Sequence, residues 1–195
     1  MAKTFRVRPL SRAQIRRLVL EILADIQPGA LQKPQPSDVE RLFDVYIPRN
    51  FRIQTGYVGY DEIPAEAVGV TKAIERKSYV ARELLEAEKW HEQRFFRSTV
   101  AHESGHCCLR HPFQIEHFVS VLGRKESLLF RVEETRLRPF ENPEWQAWAF
   151  AQEFLMPFPT LTILLQQEVN VYELADIYEV NPAFVRSRLR SLKKF

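Results

Sequence analysis

The chain has 195 residues, 45% of them hydrophobic and 27% charged, which is ordinary for a globular protein and enough for one sizeable core. No apolar run approaches the roughly 18 residues that a bilayer span needs, and the start, MAKTFRVRPL, lacks the apolar segment and cleavage site of a secretion signal. The two cysteines, Cys107 and Cys108, are neighbours that rarely pair, so a reducing cytoplasm is expected and no membrane contact.

Net charge is +3 but unevenly spread. Residues 1–17 carry six Lys/Arg and residues 186–195 carry five, neither with any acid, while the body between them has 17 basic against 25 acidic groups. Basic ends on an acidic body predict either solvated helix ends or contact with an acidic partner such as DNA.

Ser11 and Gln14 form a capping box for a first helix. Ile15, Leu18, Val19, Ile22 and Ile26 follow at helical spacing and leave Arg16 and Arg17 off the apolar stripe. QPGALQKPQP then breaks the chain before a short second helix near Asp38–Val45. Phe51–Tyr60 favours strand, with Gly56 and Gly59 marking turns or bulges, and Ser78–Arg82 is a second strand of the same small sheet. A long helix is expected from Ala87 to Arg110, where Pro112 stops it. Phe118–Leu122 and Ser127–Glu133 read as strands joined through Gly123. Asn142 as N-cap and Pro143 in the first turn open another helix, EWQAWAFAQEFL, that runs to Pro157. Val171–Leu192 reads as two helices around Glu179–Asn181.

The long helix carries His102-Glu103-Ser104-Gly105-His106. Residues four apart share a helix face, so His102 and His106 can offer ring nitrogens to one metal ion. Glu103 sits beside that face, placed to take a proton from an activated water. A random chain of this composition shows the pattern about once in a hundred cases.

Catalytic zinc sites normally use three protein ligands. A third His six residues after the second is excluded, because that position is Pro112 and the Gly expected at 109 is Leu109. His111 is one place off and beyond the helix bend; His117 and His91 read as ordinary surface or packed histidines. The alternative is a Glu from the later helix. Glu144 and Glu153 compete for it from opposite faces, being nine residues apart. Glu144 shares its face with Ala147, Trp148, Ala151 and Leu155, whose small Ala residues allow close packing on the zinc-binding helix. Glu153 shares its face with Gln146 and Ala149, which reads as solvent-facing. Packing favours Glu144, against the alternative that it merely complements the helix dipole.

FRSTVAHESGHCCLRH followed by EWQAWAFAQEFLMP resembles the ImmA/IrrE-type metallopeptidases, over about Ser78 to Pro159. Ala101, Gly105, Ala147, Phe150, Ala151, Leu155, Met156 and Pro157 fall in step with that family's two helical patterns. Trp148 stands where the family has Asn, and Phe154 where it has Leu. The resemblance implies Glu144 as third ligand to Zn²⁺ beside His102 and His106, with Glu103 as the base. It also implies an α+β fold: a zincin-like core in which the HExxH helix and the Glu-bearing helix pack on a small sheet.

Three regions are expected: an N-terminal helical region 1–48, the metallopeptidase core 49–165, and a C-terminal helix-turn-helix-like segment 166–195. In the last, Ala175 sits at the helix crossing with Val180 and Val185 at core offsets, and Glu179 replaces the Gly preferred in the turn. Arg186, Arg188 and Arg190 on its second helix would face phosphates. The resemblance implies an endopeptidase whose substrate is a partner transcriptional repressor, in a phage, stress or defence operon, with single- or double-stranded DNA at the basic ends as a partner. The alternatives are a DNA-binding regulator with a structural or degenerate metal site and a broad-substrate cytoplasmic peptidase. For the oxyanion, Tyr57, Tyr60, Tyr79 and His91 are candidates with none privileged. Cys107 lies on the Glu103 side of its helix and Cys108 opposite; both read as small buried hydrophobes, with a thiol that silences zinc as the alternative.

Overall fold

Two helices cross at the centre of the molecule, and the remaining elements position that pair. The computed structural model describes residues 3–123 and 131–192. A short strand β1 (Lys3–Phe5) pairs antiparallel with β5 (Arg131–Glu133), Lys3 opposite Glu133. Helix α1 (Arg12–Ile26) begins at the expected capping box, with Ser11 Oγ accepting from Gln14 N. Its stripe of Ile15, Val19, Ile22, Leu23 and Ile26 is buried. The second helical stretch is longer than expected. It is a π-helix over Arg41–Tyr46 running into α2 (Ile47–Phe51), and Thr55 Oγ1 donates to Phe43 O at 2.8 Å to tie it to the sheet.

The sheet has three strands in the order β2 (Gln54–Val58), β4 (Lys77–Ala81), β3 (Gly69–Lys72). β2 runs parallel to β4 in the register Gly56 to Tyr79, and β3 runs antiparallel to β4 in the register Val70 to Tyr79. β3 is the strand the sequence did not announce, because its four residues are too few to show alternation. A single turn α3 (Arg82–Leu85) precedes α4 (Trp90–Cys108), which starts later than Ala87 and ends two residues before Arg110.

Arg110 takes a left-handed conformation, φ 60°, and turns the chain into α5 (His111–Leu122). Phe118–Leu122 is therefore helix, not strand. Pro112 ends one helix and opens the next, since the first backbone N–H groups of a helix have no internal partner to lose. The strand-favouring Phe118 and Val121 are exposed rather than set in a sheet. Arg76, at the β3–β4 turn, grips Glu116 of α5 through both carboxylate oxygens, at 2.8 and 3.0 Å for Nη2. Of the expected strand Ser127–Glu133, residues 127–130 lie outside the described residues.

Helix α6 (Pro143–Leu155) opens as expected, with Asn142 Oδ1 accepting from Glu144 N at 2.8 Å. It is buried nearly all round, between α4 on one side and α1 on the other. α7 (Phe158–Gln166), α8 (Val171–Ile177) and α9 (Pro182–Leu192) complete the chain. Ala175, Val180 and Val185 are fully buried, and Glu179 holds the left-handed φ of 50° that a Gly would take at no cost. The fold is mixed α+β, and one apolar core runs from Ile15 and Val19 of α1 through Phe150 and Phe154 of α6 to Val185 of α9. Among the described residues no helix is long and apolar enough to cross a membrane.

Candidate metal centre

Gly105 sets the distance between α4 and α6. A Cβ there would stand 2.9 Å from Ala147 O and 3.0 Å from Ala147 Cα, so only Gly lets the helices approach this closely. Ala147, on the same face of α6 as Glu144, is fully buried under it. The close crossing brings His102, His106 and Glu144 to one point, their ligand atoms all within 4.8 Å of one another. His102 Nε2 is 3.2 Å from Glu144 Oε2, His106 Nε2 is 3.4 Å from Glu144 Oε1, and the two Nε2 atoms are 3.2 Å apart. Burial alone would raise the Glu144 carboxyl, but hydrogen bonds from both imidazoles and their charge outweigh it and hold it far below the usual carboxylate range. For His106, burial opposes the charged form and loses to the hydrogen bond and charge of Glu144, with Glu103 adding to them. Two imidazole nitrogens and a carboxylate in this arrangement can hold a divalent metal ion.

The orientation of His106 is fixed from behind. His106 Nδ1 lies 3.0 Å from His111 Nδ1, and His111 Nε2 lies 2.9 Å from Gln146 Oε1. The amide of Gln146 is committed, because its Nε2 donates to Arg8 O at 2.9 Å and Phe140 O at 2.8 Å. Its oxygen must therefore accept, so the proton of neutral His111 sits on Nε2 and His111 Nδ1 accepts. Burial, with the positive charge of His106 second, pushes the His111 imidazole down to about 3, which keeps it neutral. His106 then donates from Nδ1, which turns Nε2 toward the cluster, where loss of its proton would free it to ligate a metal. His111 is thus a buried positioning residue, neither a ligand nor a residue carried away by the bend. The left-handed turn at Arg110 is what returns it to the site.

Glu103 lies beside the cluster, nearly buried. Thr71 Oγ1 of β3 donates to Glu103 Oε2 at 2.6 Å and lies 2.9 Å from Ser78 Oγ of β4. β3 passes so close that a Cβ on Gly69 would stand 2.9 Å from Glu103 Oε1. The strand missed in the sequence is therefore the element that seats Glu103. A cavity of about 430 Å³ opens here, walled by residues 66–71 on one side and by Thr99, His102, His106, Glu144 and Trp148 on the other. Trp148, in the place of the family's Asn, lays its ring 4.3 Å from that of His102. Tyr57, Tyr60, Tyr79 and His91 do not line this cavity; Tyr57 instead donates to Asp44 Oδ2 at 3.2 Å. His91 sits in the first turn of α4, with half of its side chain exposed. Cys107 and Cys108 are buried, and burial pushes the Cys107 thiol up to about 12 and raises Cys108 well above its usual value.

Glu153 is not solvent-facing. It is 1% exposed, and Arg188 of α9 grips it through two 2.6 Å hydrogen bonds while Arg16 of α1 adds two more at 3.1 and 3.2 Å. Gln152 extends the clamp, accepting from Arg12 and donating to Ser187 Oγ, both at 3.0 Å. Glu153 ties both ends of the chain to α6, and the basic termini commit Arg12, Arg16 and Arg188 to contacts with that helix. Arg188, expected to face phosphates, is fully buried.

Two imidazoles and a carboxylate converging beside a second carboxylate form a donor set suited to metal-dependent hydrolysis. The chain belongs to the family described as IrrE N-terminal-like domain, Peptidase M78, whose match spans residues 70–190 and so includes both helices of the site. That membership places it among metallopeptidases of the ImmA/IrrE kind. No curated protein and no solved structure matches the chain.

Proposed function

We propose that the protein is a zinc-dependent endopeptidase that cleaves a partner helix-turn-helix transcriptional repressor and so derepresses a phage, stress or defence operon, with DNA as its activating signal. The observation that carries the peptidase reading is the convergence of His102, His106 and Glu144 in one cavity with Glu103 beside them.

Zn²⁺ held by His102, His106 and Glu144 would supply a water of pKa near 7 and polarise the scissile carbonyl. Glu103 takes the proton of the attacking water and passes it to the leaving amine. Thr71 occupies Glu103 Oε2, so Oε1 carries the proton. β3 ends the sheet on the cavity side, and among the described residues its outer edge has no strand partner. An extended substrate can add to that edge by main-chain hydrogen bonds, which suits a protein cleaved within an extended segment.

The resemblance to the ImmA/IrrE-type metallopeptidases supports a repressor as substrate, and the excess of Lys and Arg at both ends of the chain supports DNA contact. Glu103 weighs against a purely DNA-binding regulator, because a structural zinc site has no need of a base. The test is incubation with the helix-turn-helix repressor encoded nearest the gene, with and without chelator and single-stranded DNA. Cleavage abolished by chelator and increased by DNA is expected. Cleavage of unrelated proteins at equal rates would make it a broad-substrate peptidase, and no cleavage of any protein would leave the regulator.

A further inference from the structure

A second, larger depression of about 720 Å³ lies next to the metal cavity, between α6, α9 and the start of α1. Trp145, Trp148 and Phe184 give it mostly apolar walls, Arg12 and Arg190 give it charge, and no carboxylate lines it. That charge is not cancelled from below. Arg12, Arg16 and Arg188 surround a single buried carboxylate, Glu153, which leaves their cluster with surplus positive charge. Arg12 is held at the wall, its guanidinium 5.3 Å from the Trp145 ring centroid and donating to Gln152. Arg190 is exposed and has no ion pair among the described residues.

Trp148 joins this groove to the metal centre, because it walls both cavities. Its ring stands 4.3 Å from His102 and 6.5 Å from Phe184. A chain leaving the metal cavity past Trp148 enters the groove. The metal cavity is lined by Glu66, Glu103 and Glu144, whereas no carboxylate lines the groove, so the groove is the wall whose own side chains complement an acidic residue.

We propose that the groove is a recognition subsite for the polypeptide substrate. It takes a large apolar side chain against Trp145, Trp148 and Phe184, and an acidic side chain close to it in sequence against Arg190 and Arg12. The link to cleavage rests on the peptidase reading; the binding itself does not. Single-stranded nucleic acid would also value aromatic walls and cations. A phosphate backbone needs a track of charge, however, and none leads away from this groove along α9: Arg188 is buried and Arg186 lies over the Tyr172 ring.

The test is a fluorescence titration of the Glu103→Gln, Trp90→Phe protein, in which the remaining tryptophans are the two in the groove. The probes are the peptide acetyl-Leu-Phe-Asp-Glu-amide, its neutral counterpart acetyl-Leu-Phe-Asn-Gln-amide, and decathymidylate. The acidic peptide is expected to bind about ten-fold tighter than the neutral one, a difference of about 1.4 kcal/mol. Adding Arg190→Glu should abolish that difference while circular dichroism shows the fold unchanged. Equal affinities, a preference that survives Arg190→Glu, or no saturable binding of either peptide would overturn the proposal. So would decathymidylate binding that Arg190→Glu abolishes when neither peptide binds, since the groove would then be a nucleic-acid site. Because the titration reads binding without hydrolysis, its outcome is independent of whether the wild-type protein proves to be a peptidase.

Discussion

His111 Nδ1 faces His106 Nδ1 at 3.0 Å, and this contact decides which nitrogen of His106 is presented to Glu144. The decision originates two residues further back, where the carbonyls of Arg8 and Phe140 fix the amide of Gln146. Gln146→Leu removes the acceptor for His111 and frees the relay. Partners of this kind are typically worth about 10–100-fold in metal affinity. Competition with a chromophoric chelator should show a loss in that range for Gln146→Leu, and no loss for Glu103→Gln. Equal zinc affinity in wild type and Gln146→Leu would mean that the relay does not orient the ligand.

Gly105→Ala tests the helix crossing. The added methyl meets backbone atoms of Ala147, which cannot rotate away, so α4 and α6 must separate. Overpacking of this kind costs about 1–3 kcal/mol. Because the His pair and Glu144 sit on different helices, chelator competition should show weaker zinc binding even where the protein remains folded at low temperature.

The pair Glu153–Arg188 is structural and is expected to separate stability from metal binding. Removing one partner of a buried ion pair leaves the other charge uncompensated, at about 3–5 kcal/mol. Glu153→Ala should show that loss in urea unfolding, with zinc stoichiometry unchanged in the folded fraction. Glu144→Ala should do the reverse, losing zinc with a small effect on unfolding of the metal-free protein.

These helices also show what the sequence could and could not reveal. That Glu144, and not Glu153, faces His102 and His106 was legible, because opposite helix faces and the run of Ala residues are local properties. The burial of Glu153 was not. Its partners lie 35 and 137 positions away, and a face carrying Gln146, Ala149 and Glu153 reads as polar until Arg188 and Arg16 cover it. His111 was missed for a similar reason, since its place depends on the left-handed turn at Arg110. Phe118–Leu122 was misread because β-branched and aromatic residues on an exposed helix look like strand to a local rule. β3 was too short to read, although its Gly69 and Thr71 stand directly against Glu103.

Thr71→Val tests that placement. It removes one hydrogen bond to a charged acceptor, worth about 1.5–3 kcal/mol, and keeps the side-chain shape. Cleavage should fall by about ten- to a hundred-fold in kcat/KM, with zinc content unchanged and Thr71→Ser restoring most of the rate. A Thr71→Val protein as active as wild type would show that β3 does not hold Glu103 for the reaction.

Glu103→Gln, assayed for zinc and for cleavage in the same preparation, separates metal binding from proton transfer most directly. One zinc bound per chain is expected, as in wild type, with no detectable cleavage of a substrate that the wild-type protein cuts in a chelator-sensitive way. Cleavage by Glu103→Gln at a rate near wild type would contradict the role of Glu103 as base.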